Sequence, residues 1–281
     1  MGRMATPTLT LNDGRTLPAI GFGTYPLRGE DGIAAMVSAL ETGYRLIDTA
    51  VNYENEREVG EALRRSGLPR DQVQVTSKIP GRHHGYDDAV ESTHQSLERL
   101  GLDHLDLHLI HWPNPSQHRY VEAWQALVDL QRQGLVRSIG VSNFTPEHLG
   151  RIITETGVTP AVNQVEMHPL FPQEHQRDVH RDLGIVTEAW SPLGKRSAPY
   201  DDSAVADAAA THGVSPGRVI LRWHVQQGVL PIPKSATPSR QAENLDVFGF
   251  ELSDDEMAAI TALGRPDGRL FGGDPDTHEE M

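Results

Sequence analysis

Four side chains in this sequence could together place a proton on a carbonyl oxygen: Asp48, Tyr53, Lys78 and His111. Each stands at or just past the end of a short apolar run. Asp48 closes residues 45–48, Tyr53 follows on the next loop, Lys78 ends residues 73–78, and His111 ends residues 105–111. If these runs are neighbouring parallel strands, an acid, a phenol, an amine and an imidazole meet at one rim. A free tyrosine ionises near about pH 10, too high for easy proton exchange at neutrality. A lysine kept charged by a carboxylate stabilises a nearby tyrosinate, so Lys78 is expected to lower the Tyr53 value. His111 then supplies a second polar contact that orients the carbonyl. Taken singly, Asp48 could cap the next helix and Lys78 could be a solvated strand-end lysine. The coincidence of four such residues at matching strand ends is what points to a site.

Phosphate handling is the next signal. Residues 232–244 begin where the last predicted strand ends and run into a short helix. Lys234, Ser235, Thr237 and Arg240 offer cations, hydroxyls and a helix N-terminus there. That set suits a phosphate monoester, and the last two βα loops are where barrels usually bind phosphate. The plainer alternative is a capped surface helix with Arg240 in a salt bridge. Phosphate is favoured because an acidic protein has placed cations here. No Gly-x-Gly-x-x-Gly motif or P-loop occurs, and Gly21-Phe22-Gly23-Thr24 is too short and too early for a dinucleotide turn.

Ser142 and Asn143 end one predicted strand and Gln164 lies in the next. Paired amides at a rim can hold a carboxamide through complementary donors and acceptors, although loop capping is the default for either alone. Trp190 ends the seventh predicted strand, where an indole could stack on a flat ring or simply pack in the core. The fourteen histidines include His83-His84 and the set His104, His108 and His111, but none has metal-ligand spacing. Two strand histidines three residues apart point to opposite faces. No metal is expected.

These residues need a scaffold that brings strand ends together. Residues 8–18 read as a hairpin turning at Asn12-Asp13-Gly14. Strands are expected at 19–22, 45–48, 73–77, 105–110, 137–141, 161–166, 185–190 and 229–232. Helices are expected at 32–41, 55–65, 87–100, 120–132, 146–155, 173–183, 203–212, 216–226, 239–245 and 254–263, with Thr145 and Ser215 as N-caps. Eight strand–helix units point to a (β/α)8 TIM barrel with an N-terminal hairpin. An open doubly wound sheet is the alternative, but reactive residues end at least four different strands. No linker divides the chain, so residues 1–281 are expected to form one domain. Residues 264–281, rich in Gly, Pro, Asp and Glu, are expected to loop over the active-site rim.

The net charge of −14 argues against nucleic-acid and anionic-membrane partners. The chain has no cysteine, so neither a disulfide nor a thiolate is available. No signal-like segment and no run long enough to span a membrane is read, and a cytoplasmic location is expected. Met1 to Met4 reads as a second start site or a cloning remnant.

Residues 43–50 (Gly-Tyr-Arg-Leu-Ile-Asp-Thr-Ala), continuing through Tyr53, Asn55-Glu56 and Val59-Gly60, resemble the first signature of the aldo-keto reductases. Gly140-Val141-Ser142-Asn143-Phe144 resembles the second, and residues 232–244 the third, in the same order along the chain. The resemblance runs from about residue 8 onward and is similar to the bacterial branch that includes 2,5-diketo-D-gluconate reductases. It implies a monomeric barrel that reduces aldehydes and ketones with NADPH held extended across the strand ends. Tyr53 is the implied proton donor, Lys78 and Asp48 its tuning pair, and His111 the carbonyl-orienting group. Ser142, Asn143 and Gln164 would hold the carboxamide, and Trp190 would stack on the ring. Ser191, Leu193 and Gly194 would line the pyrophosphate path. Lys234, Ser235 and Arg240 would clasp the 2′-phosphate, with Glu243 and Asn244 near the adenine; Thr24 completes the implied cofactor set. Many relatives carry a tryptophan just beyond the lysine, where this sequence has Pro80. Tyr25, Trp112 and Phe271 are then left to line the substrate pocket, with Arg82 or His83 as loop residues near it. Two rival readings are a cofactor-binding regulatory or sensing barrel and an aldolase- or isomerase-like barrel using Lys78 as a Schiff-base amine.

Overall fold

The computed structural model describes residues 6–280. The question raised by Met1 to Met4 lies outside the described residues. Strands β1 (Thr8–Thr10) and β2 (Thr16–Pro18) form the antiparallel hairpin. Eight parallel strands follow: β3 (Phe22–Gly23), β4 (Leu46–Asp48), β5 (Gln74–Ile79), β6 (Leu105–Ile110), β7 (Val136–Ser142), β8 (Val162–Glu166), β9 (Val186–Trp190) and β10 (Leu230–Pro231). Each pairs with the next in sequence order. Backbone bonds from Gly21 N to Pro231 O (3.0 Å) and from Gly23 N to Pro233 O (3.2 Å) join the two outer strands and close the barrel. Closure removes the exposed edges that an open sheet would leave, so the doubly wound alternative is set aside.

The helices between strands are α1 (Gly29–Thr42), α2 (Glu56–Ser66), α3 (Tyr86–Leu100), α4 (Tyr120–Arg132), α5 (Pro146–Thr156), α6 (Glu174–Leu183), α7 (Ser203–His212) and α8 (Pro216–Gln226). Two more, α9 (Pro238–Leu245) and α10 (Asp254–Thr261), follow the last strand. Alternation along the strands divides the core in two. Leu46, Leu107, Leu109, Val162 and Leu230 fill the barrel interior, together with Leu11 and Leu17 of the hairpin. Ile47, Val75, Ile110 and Val141 face outward against helices. The hairpin covers the N-terminal ends of the strands: Asn12 Nδ2 donates to Pro160 O (2.9 Å) and Ser138 Oγ to Asp13 Oδ2 (2.7 Å). The C-terminal ends stay available for chemistry.

The structure differs locally from the sequence reading. The first barrel strand is Phe22–Gly23 rather than 19–22, because Ala19 and Gly21 bond to Pro7 and Pro231 instead of to β4. Helix α1 begins at Gly29, earlier than apolar periodicity indicates, with Glu30 and Asp31 complementing its N-terminal dipole. Thr145 caps α5 as expected, in a reciprocal box with His148. Ser215 has the cap backbone but its side chain makes no cap bond, its hydroxyl turning to Glu243 Oε2 at 3.5 Å. With Pro216 at the first helical position, one of the N–H groups a cap would satisfy does not exist.

Gly140 lets β7, β6 and β8 approach closely. A methyl there would lie 2.6 Å from Val162 O and 2.8 Å from Leu109 Cδ2. Gly140→Ala should therefore destabilise the fold by ~1–3 kcal/mol through overpacking, read as a lower denaturant midpoint with unchanged slope.

Candidate active site

Asp48 ends β4, and Lys78 lies in β5 two residues past Thr76, the register partner of Asp48. That offset lets the longer lysine reach back. Lys78 Nζ donates to Asp48 Oδ1 (2.8 Å) and Oδ2 (2.7 Å) and to Thr49 O (3.0 Å). The lysine has no solvent exposure and Asp48 almost none. Burial works against the ammonium charge, but Asp48 and Tyr53 outweigh it and the lysine value rises. A charged amine with its N–H groups committed is not a free nucleophile, so the Schiff-base reading fails here.

Tyr53 lies in a one-turn 3-10 helix, Val51–Tyr53, rather than in a plain loop. The turn brings its hydroxyl to 3.4 Å from Lys78 Nζ, and the ammonium sits 4.9 Å from the ring centroid. The expected drop in the phenol's pKa does not appear. Burial pushes Tyr53 up to about 12; the Lys78 charge pulls down, but the Asp48 charge behind it pushes up again. Burial is the larger influence, and the Asp48 charge offsets part of what Lys78 takes away. His111 follows β6 and presents its ring edge to Tyr53, with centroids 5.7 Å apart. The four residues are thus brought together, three lining a cleft and Lys78 beneath them.

The cleft has a volume of about 670 Å³, within the range of small-molecule sites. Thr24, Tyr25, Trp112, Asn143, Gln164 and Trp190 line it, as do Ser191 and Leu193. The amides are pre-ordered. Asn143 Nδ2 donates to His111 O (2.9 Å), Trp190 Nε1 donates to Asn143 Oδ1 (2.8 Å), and Gln164 Nε2 donates to Asp48 Oδ1 (2.8 Å). Ser142 is fully buried beneath them, donating to Gln164 O at 2.8 Å. It acts on the cleft only through its neighbours. Gly194, at φ +76°, turns the loop beyond the lining.

Beyond β10, Lys234 lines the cleft, while Ser235, Arg240, Glu243 and Asn244 lie outside its lining on the α9 side. Ser235 Oγ accepts from Thr237 N (3.0 Å), shaping the turn into α9. Arg240 acts electrostatically on Tyr200, a lining residue, which ties the α9 end to the cleft mouth. Lys195 also lines it and was not foreseen. Lys78, Lys195 and Lys234 are the three lysines of the whole sequence.

The C-terminal loop does cover the rim, and more intimately than its composition indicates. Phe271 stacks on Trp190, with centroids 5.4 Å apart, under Lys195. His278 packs on Trp112 at 4.2 Å. Glu280 Oε1 lies 2.7 Å from His111 Nδ1 and accepts from Asn52 Nδ2 at 2.8 Å, and Glu280 O accepts from Asn114 Nδ2 at 2.6 Å. His278 and Glu280 are site residues that the sequence reading missed; an acidic loop carries no motif that marks two of its residues as inward-facing. Pro80 does not line the cleft. Arg82 is turned to Asn52 and His83 to Ser92, away from the lining.

A family model described as "Aldo/keto reductase family" matches residues 19–265. This chain belongs to the aldo/keto reductase family. It is thereby an oxidoreductase. It is 59% identical over 275 residues to 2,5-diketo-D-gluconic acid reductase B of a Corynebacterium species, covering 98% of this chain and 99% of that one. It is 43% identical over 275 residues to the methylglyoxal reductase DkgA of Escherichia coli, covering 97% and 98%. Among solved aldo/keto reductase structures, a mutant of Gox0644 in complex with NADPH superposes with a TM-score of 0.93 at 43% identity, covering 98% of this chain and 100% of that one. A Bombyx mori aldo-keto reductase in complex with NADP superposes at 0.91 with 34% identity, covering 99% of each.

Glu280 supplies an acid-range test of the tail contact. Burial raises its carboxyl, but the His111 and Asn52 contacts outweigh burial and hold it below the ordinary glutamate value. A depressed value means that this contact stabilises above the unfolded value, about 4.3, and is lost as pH falls through the lower folded one. Trp112 fluorescence should therefore change on acidification below about pH 4, and Glu280→Gln should abolish that step.

Proposed function

We propose that this chain is an NADPH-dependent reductase of aldehydes and ketones, with Tyr53 as the proton donor. The observation that carries the reading is the Tyr53 hydroxyl 3.4 Å from an ammonium that is itself locked on Asp48, with His111 alongside. Bound NADPH would supply the hydride. The chain's own residues do the rest. His111 and Tyr53 orient the carbonyl oxygen toward their polar edges. Tyr53 holds its proton at neutral pH, since its value stands at about 12, and releases it only as the oxygen becomes alkoxide-like and more basic than a phenolate. Lys78 then faces the tyrosinate as it forms, which places the electrostatic stabilisation where charge develops. Asp48 keeps Lys78 charged and fixed.

The cleft suits such a cofactor. Its amides are ordered around Asn143 and Gln164, and Lys195, Lys234 and Arg240 lie in or beside it in a protein of net charge −14. With one Gln164 Nε2–H given to Asp48, its carbonyl oxygen and second N–H remain for a carboxamide. A nicotinamide ring stacked on the covered face of Trp190 would displace Phe271. We place Lys234, Ser235 and Arg240 at the 2′-phosphate, Glu243 and Asn244 near the adenine, Ser191, Leu193 and Gly194 along the pyrophosphate, and Thr24 at the ring. Tyr25 and Trp112 serve the substrate. One closed barrel holds all four tetrad residues, which supports a single domain; the monomeric state is part of the proposal, and the acidic surface gives no footing for nucleic acid or anionic membranes. Among the described residues no helix is long and apolar enough to cross a membrane; a cytoplasmic place remains part of the proposal. A sensing barrel without turnover is disfavoured by the intact buried pair behind Tyr53.

Tyr53→Phe should bind NADPH normally, by fluorescence titration, and lose most of kcat. Lys78→Met should lose as much or more, because it also leaves Asp48 buried without its cation. Near-normal turnover of Tyr53→Phe would remove the phenol from the role. NADPH should bind more tightly than NADH, and Arg240→Ala should narrow the gap by about tenfold, the worth of one charge-assisted contact. Equal affinities for the two cofactors in the native protein would sink the phosphate assignment.

A further inference from the structure

One acid inside the barrel has no part in the proposed reaction. Glu188, in β9, is in register with Gln164 of β8 and has no solvent exposure. Alternation turns Thr187 outward, where its hydroxyl meets His180 Nδ1 at 2.8 Å, and turns Glu188 inward. Neither Glu188 oxygen meets a donor in good hydrogen-bond geometry, although the neighbouring Gln164 amide acts on the carboxyl. For an ionised carboxylate that is a heavy desolvation cost with little to offset it.

The groups around it explain why it is left alone. The charged side chains acting on Glu188 are Asp48 of β4 and Lys78 of β5. From β8 comes the uncharged Gln164, and its register partner in β10 is Leu230. One cation therefore serves two carboxyl groups, and Asp48 holds it through both oxygens. One of the two Gln164 amide N–H bonds is likewise given to Asp48, at 2.8 Å. An ionised Glu188 could only accept. It would compete with Asp48 for the Lys78 ammonium, and so draw Lys78 away from Tyr53. Burial first, and the Asp48 charge second, push the Glu188 carboxyl well above the usual range.

We propose that Glu188 is a positioning residue, held as a neutral carboxylic acid beside the Gln164 side chain, which leaves the Lys78 ammonium to Asp48. It touches neither substrate nor cofactor. It acts through Gln164 and Asp48 on the cation that faces Tyr53. The kinetic consequence rests on the reduction proposed above; the protonation state does not.

Three proteins test it: native, Glu188→Gln and Glu188→Leu. Glutamine is uncharged at every pH and close in shape, so Glu188→Gln should keep kcat within about twofold, whereas Glu188→Leu should lose about tenfold in kcat with KM little changed, because no polar group then stands beside Gln164. The native kcat should fall at alkaline pH as Glu188 ionises, and the glutamine variant should lack that limb. Infrared spectra of the folded apoproteins at neutral pH should show a protonated-carboxyl band in the native protein that is missing from Glu188→Gln. No such difference band, or a glutamine variant as impaired as the leucine one, would overturn the proposal. If none of the three turns over a carbonyl with NADPH, the reduction reading fails and the infrared comparison still decides Glu188. If Glu188→Leu does not fold, native against glutamine decides it.

Discussion

The Asp48–Lys78 ion pair sets terms that the rest of the rim obeys. A wholly buried ammonium is tolerable only with a partner in contact, and an orphaned one would cost roughly 3–5 kcal/mol. Here both carboxylate oxygens and the Thr49 carbonyl meet it. The pair ties β4 to β5 and, through Gln164, reaches across to β8. A slip of one residue in either strand would turn that strand's charge into apolar surroundings and orphan the other, so the pair guards register. Its second effect is electrostatic. Burial raises the Tyr53 phenol by more than the Lys78 charge lowers it, and the Asp48 charge offsets part of that lowering, which is why Tyr53 keeps its proton rather than standing as a partial phenolate.

The two ends of the barrel do different work. At the N-terminal end the hairpin inserts Leu11 and Leu17 below the strands and ties itself down through Asn12 and Asp13. At the other end the loops are spent on polar groups and on the returning tail. The tail occupies both halves of the cleft at once, Phe271 against Trp190 and Glu280 against His111. A flat ligand stacking on the same face of Trp190 would compete with Phe271, and its affinity would be reduced by whatever holds Phe271 in place.

Much of this was readable from the chain because the relevant signals are local. Asp48, Lys78 and His111 each terminate an apolar run, and strand polarity alone puts such residues at one rim. The eight units and the hairpin follow from alternation and turn chemistry. What could not be read depends on pairs far apart in sequence. Glu280 and His111 are brought together by a tail without periodicity, and His278 meets Trp112 the same way. The sign of the Tyr53 shift depends on three residues at once, and pairwise reasoning from Lys78 gives the opposite direction. The first barrel strand was misplaced by its short length: two residues whose neighbouring amides bond across the closure leave no alternation to detect.

The scarcity of lysine has a practical side. Apart from the α-amine, the chain offers three primary amines, one sealed under Tyr53 and two exposed along the cleft. The remaining fixed cations are arginines, which do not condense with aldehydes as primary amines do. A protein suited to electrophilic carbonyls thus shows them few amines to attack. The same placement makes amine-directed reagents site labels, with protection by a bound ligand as their signal. It also means that coupling the protein to a support through its lysines would attach it by the cleft, and that its many carboxylates are the better handle.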